Sequence, residues 1–230
     1  MPGVPPLSHV RSLPVMDELV RTWVHGWALS RDTDTPVAEP YGWRMEVGLP
    51  EMPRRHIVTD PVWLEKLVPT VTERGSWLKL FVEELPPLPP GWEITAPGFM
   101  MSTELSPFEV TGHEVVVEPL NDATSKVWVI VDGERAAWGQ VAVWGADAVV
   151  DKVMTEEAHR RKGLGSVVMR SLQNLAYERG ARRAVLGGTV EGRALYTSLG
   201  WRTECPLTSV QLIGIESNLW EGRFQRGTEE

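Results

Sequence analysis

The sequence predicts an α/β (α+β) protein whose second half is a β-meander followed by a β-α-β unit, preceded by a smaller, proline-rich α/β half. Three observations carry this reading. Seventeen of the 18 prolines precede residue 120 and only Pro206 follows it, which separates an N-terminal accessory domain, 1–108, from a main domain, 109–230. Asp132-Gly133, directly after the β-rich run VWVIV, is a hairpin signal. A helical apolar pattern from about Leu164 to Arg179 opens at a glycine turn and closes at Gly180.

In the first half, Leu19, Val20, Trp23 and Trp27 share one face of a helix predicted from Met16 to Ser30, with Pro14 before it. Short strands follow at Trp43–Val47 and His56–Thr59, then a second helix over Val62–Arg74. The strand-like WLKLFVEEL leads into LPPLPPGW, a stiff extended connector. Six of the 11 tryptophans fall here, at positions 23, 27, 43, 63, 77 and 92, and read as packing residues. In the second half, strands at His113–Glu118 and Lys126–Val131 precede AAWGQVAVW, AVVDKVMT, the helix and the strand RRAVLGG. No fixed-period repeat is present.

With 42% hydrophobic residues in 230, the chain can bury an ordinary core. Its net charge of −8 argues against general nucleic-acid binding and tolerates a cationic or amine-bearing substrate. A single cysteine, Cys205, leaves no intrachain disulfide to form. No apolar run approaches the roughly 18 residues of a membrane span, and MPGVPPLSHV lacks the apolar stretch of a signal peptide. The expectation is a cytoplasmic protein with no membrane role. The five histidines have no paired spacing, so no metal is expected.

The stretch HRRKGLGSVVMRSL, residues 159–172, places Arg160, Arg161 and Lys162 beside Gly163 and Gly165 where the helix begins at Leu164. Helix N-termini carry unpaired N–H groups and partial positive charge, and glycines let the main chain close around phosphate oxygens. Ser166 offers one more donor. The motif G-x-x-x-x-G-K-[ST] is absent, and G-x-G-x-x-G fails at Val168. Taken alone, R-x-x-G-x-G also fits a basic helix start that only punctuates a loop.

The wider context is a strand ending at Thr155, then Arg160-x-x-Gly163-x-Gly165, an amphipathic helix, a strand, and GTVEGRALYTSLGWR with Leu195, Tyr196, Gly200 and Trp201. From roughly 113 to 215 this resembles the GNAT superfamily of acetyl-CoA-dependent N-acetyltransferases, in which [QR]-x-x-G-x-[GA] cradles the coenzyme A pyrophosphate. The resemblance implies a mixed, mostly antiparallel central sheet flanked by helices. Thr189 stands where the family frequently has Asn, and Gly192 where it has Ala. Only seven residues separate the first two strands, where the family usually inserts two helices. The N-terminal half is then expected to supply the missing wall, or to be a degenerate copy of the fold.

The resemblance further implies acetyl-CoA as co-substrate. Val153, Met154 and Thr155 would hold its pantetheine arm. Arg160, Arg161, Lys162, Gly163, Leu164, Gly165 and Ser166 would hold its phosphates, with Thr189 at the second motif. Tyr196 occupies the position of the acid that protonates the departing thiolate; the alternative is a phenol that only packs on the cofactor. Asp151, four residues before Thr155 and expected on the same face of its strand, is the candidate base; the alternative is a carboxylate satisfied at a strand edge. Glu156, Glu157 and His159 read as solvated, and His113 as a lesser candidate base.

The function expected is N-acetyl transfer to a primary amine of a small molecule or peptide; the alternative is an acyl-CoA-binding regulatory module without transferase activity. An enzyme using ATP or NAD ranks last, because no acidic metal-binding or ribose-binding motif is in place. Trp138 and Trp144 hint at an acceptor pocket, though strand tryptophans also serve cores. A homodimer is possible through TSVQLIGI, and the tail ESNLWEGRFQRGTEE reads as frayed.

Overall fold

In the computed structural model, which describes residues 14–82, 84–95 and 97–214, helical spacing brings Leu19, Val20, Trp23, Val24 and Trp27 together on the buried face of α1 (Pro14–Arg31). Asp17 in its first turn and Arg31 in its last complement the helix dipole. The frayed tail expected at the C-terminus lies outside the described residues.

Strands β1 (Val37–Glu39), β2 (Gly42–Leu49) and β3 (Met52–Val58) form an antiparallel meander. The helix expected over 62–74 is reduced to α2 (Leu64–Leu67), bracketed by 3₁₀ turns at Pro61–Trp63 and Val68–Thr70. Pro69 has no N–H to continue an α-helix, and the β-branched Val68, Thr70 and Val71 surround it. Strand β4 (Trp77–Leu80) stops well short of the end of WLKLFVEEL. Its neighbour changes partner there: Thr208 pairs with Leu80, and the preceding residues of that strand pair elsewhere.

Next come β5 (Trp92–Ile94) and β6 (Gly98–Glu104), neither expected from the sequence. The meander then runs β7 (Glu114–Pro119), β8 (Thr124–Val131), β9 (Glu134–Trp144) and β10 (Asp147–Thr155). Residues 120–123 alone link β7 to β8, with the Asn121 side chain accepting from the N–H groups of Ala123 and Thr124. After β10 come α3 (Leu164–Glu178), β11 (Arg183–Thr189), α4 (Val190–Ser198) and β12 (Arg202–Leu212).

All but one strand lie along the order β1-β2-β3-β4-β12-β6-β11-β10-β9-β8-β7, with β5 also pairing β12. The sheet is mixed and mostly antiparallel, flanked by helices: among the described residues only β3–β4 and β10–β11 are parallel, each joined through a helical crossover. It crosses the expected 108/109 boundary in both directions. Strand β6 lies between β11 and β12, Met101 facing both Leu186 and Thr203, while β12 passes on to β4 through Ser209 and Lys79. Within TSVQLIGI, residues 208–211 pair with β4 and residues 210–212 with β5, and Ile215 lies outside the described residues.

The two faces of β10 are covered by different helices. Val149, with Val185 of β11, packs beneath α1; Ala148, Val150 and Ala184 pack beneath α3. Contact with α1 is close: a Cβ added to Gly26 would stand 2.2 Å from a methyl carbon of Val149. Among the described residues no helix is long and apolar enough to cross a membrane.

Candidate functional site

The site begins where a parallel pair fails. Strands β10 and β11 are in register only through Asp147–Arg183, Ala148–Ala184 and Val149–Val185; beyond this β10 stays with β9 and β11 with β6. Among the described residues, the edge of β10 facing the gap therefore lacks a strand partner from Val150 onward, leaving main-chain polar groups without the ladder that would normally satisfy them. A cavity of about 720 Å³ lies between this edge, the turn before α3 and α4. A second, of about 370 Å³, lies under α1, β3 and β4. Val150, Asp151, Gly187, Gly188 and Thr189 line both, so the two meet in the gap.

A β-bulge sets which way β10 presents its side chains. Asp151 faces Gln140 across the ladder, but Met154 faces Trp138, so β10 carries one extra residue, and Lys152 adopts φ 53. The extra residue reverses the alternation. Asp151 and Thr155 lie on opposite faces, contrary to the expectation from period two, because Asp151 shares a face with Gln140 and Thr155 with Ala137. Asp151 is thereby turned toward α1, where it accepts from Arg31 Nε at 2.5 Å, Arg31 Nη2 at 2.9 Å and Ser30 Oγ at 3.1 Å.

The turn before α3 is built for an open main chain. Gly163 caps the helix in the left-handed region at φ 80, with nothing within 4 Å of where its Cβ would stand. Ser166 N–H donates to Gly163 O at 3.0 Å, while the N–H groups of Gly163, Leu164 and Gly165 have no backbone acceptor among the described residues. Gly165 is small for a different reason: a Cβ there would meet Leu195 of α4 at 2.9 Å. Arg160 reaches back to donate from Nε to Thr155 O at 3.3 Å, and Arg161 holds φ 63.

Tyr196 lines the larger cavity from α4, its ring against two glycines; a Cβ on Gly192 would lie 2.7 Å and one on Gly188 3.0 Å from ring carbons. The absence of a side chain at Gly192 thus leaves the space the ring occupies. Burial, and secondarily the charge of Asp151, raises the phenol pKa above its ordinary value. Thr189 Oγ1 is engaged as the N-cap of α4, accepting from Gly192 N–H at 3.2 Å.

The larger cavity brings together Asp151, Val153, Met154, Thr155, Arg160, Arg161, Gly163, Leu164, Gly165, Ser166, Thr189 and Tyr196; Lys162 does not line it. Trp138 and Trp144 line neither cavity. Lys126 Nζ sits 3.8 Å from the centroids of both Trp128 and Trp138, and Trp144 stacks on His25 at 4.6 Å. The sequence reading missed Arg31, Arg55 and Lys79, which line the smaller cavity with Trp23, Trp27 and Trp77. A signal was present in the strands themselves: a cation within the apolar run WLKL, and Arg55 before HIV, are expensive unless used.

Residues 123–203 match the acetyltransferase (GNAT) domain family. The fold is similar to that of a GCN5-related N-acetyltransferase from Kribbella flavida, with TM-score 0.62 and 19% identity over 86% of this chain and 95% of that one. It is similar also to a putative GNAT-family acetyltransferase from Novosphingobium aromaticivorans, with TM-score 0.55 and 18% identity over 84% and 98%. A functionally unknown conserved protein from Staphylococcus epidermidis matches with TM-score 0.50 and 11% identity over 84% and 97%. No curated protein matches the chain.

Proposed function

With residues 123–203 forming a GNAT acetyltransferase domain on a GNAT-like fold, we propose that the protein transfers an acetyl group from acetyl-CoA to a primary amine of a small molecule or peptide. The observation that carries this reading is the junction of two cavities in the β10–β11 gap, one ending at an open helix N-terminus and the other lined in large part by the N-terminal half. The first fits coenzyme A by its chemistry. Unpaired N–H groups at residues 163–165, with Ser166, Arg160 and Arg161 alongside, suit a diphosphate. The unpartnered edge of β10 suits an amide-bearing arm.

When bound there, acetyl-CoA supplies an activated acyl thioester. The chain's own groups do the rest. Main-chain N–H groups of β10 at the gap polarise the carbonyl they meet. Tyr196, its pKa raised by burial, stays protonated at neutral pH and donates its phenolic proton to the departing sulfur. Three of the roughly four lone-pair directions of Asp151 are filled by Arg31 and Ser30, which leaves about one to accept a hydrogen bond from the incoming amine and draw off its proton.

Calorimetric titration with acetyl-CoA, followed by thiol-release assays over a panel of primary amines, tests the reading. Saturable binding with acetylation of at least one class of amine supports it. Binding with no transfer over the whole panel favours a regulatory module, and absence of binding removes both.

A further inference from the structure

The smaller cavity carries a charge pattern opposite to that of the protein as a whole. The chain has a net charge of −8, yet the described residues lining this cavity hold three cations, Arg31, Arg55 and Lys79, against one carboxylate, Asp151. Asp151 is already committed to Arg31. Arg55 is only 8% exposed, and the partner found for its guanidinium is the weak acceptor Met52 Sδ, on Nε at 3.0 Å; no ion pair reaches it among the described residues.

Removing a guanidinium from water without a directly paired counter-charge is costly, and Asp151, already held by Arg31, acts on Arg55 only through its charge, so this arrangement holds its cation ready for an anion from outside. The guanidinium is also fixed in direction. The Trp27 ring has Arg55 over it at 4.1 Å and Arg31 at 4.9 Å, so the planar fork of Arg55 is held by stacking. Lys79 stands nearby, its Nζ donating to Ser209 Oγ at 2.6 Å and lying 4.6 Å from the centre of the Trp77 ring.

From this we infer that the acceptor is an amino acid or a similarly small amine bearing a carboxylate: Arg55, assisted by Lys79, binds the carboxylate, and the amine is directed to Asp151 at the junction of the cavities. The inference rests on the acyltransferase reading. The size of the cavity, about 370 Å³, suits a compact molecule, and Trp23, Trp27 and Trp77 give it apolar walls. Burial, and then the charges of Arg55 and Arg31, pushes the Lys79 pKa down to about 7, and Asp151 is the one carboxylate among the described residues lining the cavity. A bound carboxylate would restore the proton to Lys79.

The test uses the full chain and matched primary amines presented as the free carboxylate and as the carboxamide. Direct calorimetric binding to the coenzyme A-loaded protein is measured alongside thiol release. The free carboxylates should bind and be acetylated about a hundredfold better than the carboxamides, since an unpaired buried cation penalises the neutral analogue. In Arg55→Met that preference should collapse, and Arg55→Lys, with charge but no fork, should fall between. The preference should also weaken above pH 7, where Lys79 is neutral in the empty site. Equal binding of both forms, or a preference that survives Arg55→Met in protein with an unchanged circular dichroism spectrum, overturns the inference. Arg55-dependent carboxylate binding with no acetyl transfer would retain the anion site and reject the acetyltransferase reading instead.

Discussion

Arg31 grips both carboxylate oxygens of Asp151, at 2.5 and 2.9 Å, and so ties the last turn of α1 to the bulge of β10. This pair couples the N-terminal half to the gap where the two cavities meet. Replacing Arg31 by Met should lower kcat for amine acceptors by about tenfold or more with a much smaller effect on acetyl-CoA affinity, since it frees and reorients a carboxylate at the junction of the two cavities, away from the turn before α3. A double-mutant cycle with Asp151→Asn should return a coupling energy of about 1–2 kcal/mol. Additive effects would show that the pair does not act as a unit.

Gly163 holds φ 80 with open space beyond it, so the demand there is conformational and not steric. Alanine in the left-handed region costs about 1–2 kcal/mol, and Asn tolerates it better. Affinity for acetyl-CoA should therefore fall in the order Gly, Asn, Ala, with Ala weaker by about tenfold or more. Calorimetric titration of the three proteins gives the order directly.

Removing only the hydroxyl of Tyr196 should leave coenzyme binding intact, because the ring still fills the space over Gly188 and Gly192. If the phenol protonates the leaving sulfur, Tyr196→Phe should lower kcat by about 10²–10⁴. Unchanged turnover would assign the ring to packing alone.

Gly26→Ala sets helix propensity against packing. Alanine favours an exposed helix by about 1 kcal/mol, yet its Cβ would lie 2.2 Å from Val149 Cγ2, beneath α1. Overpacking of this kind costs about 1–3 kcal/mol, so the melting temperature should fall. Adding Val149→Ala should recover part of the loss.

His56 is buried on β3, with Tyr41 Oη at 2.8 Å from Nδ1. Burial, reinforced by Arg54 and Arg44, pushes its pKa down from 6.5 to about 4. Between those values the unfolded chain takes up a proton that the folded protein refuses. Stability should therefore decline as pH falls from 6.5 toward 4, and this group adds no slope above 6.5. Melting temperatures across that range should show the decline, and His56→Asn should flatten it.

Legibility followed the range of the interactions involved. Helices α1 and α3, the Asp132-Gly133 hairpin and the glycine turn were readable because each is specified by neighbours a few residues away. The helix over 62–74 was overread because its apolar spacing outweighed Pro69 in the reading but not in the chain. Strands β5 and β6 were invisible: FMMSTE has little β-branched character, and its partners, Leu186 and Thr203, lie about a hundred residues later. Parity failed at Lys152, since nothing in DKV announces a bulge. The smaller cavity was missed for the same reason as β6, being assembled from α1, β3, β4 and β10 by pairings no local pattern encodes.

The passage of β12 from β6 to β4 has a bearing on how the protein is made. Leu80 and Lys79 receive their antiparallel partners only when residues 208 and 209 exist, and β6, translated early, must wait for both β11 and β12. A ribosome that has released the first hundred residues has therefore released an incomplete sheet with bare edges, exposed to aggregation until the C-terminal strand threads between them. The sheet closes only once residues 202–212 are present to bridge β6 and β4.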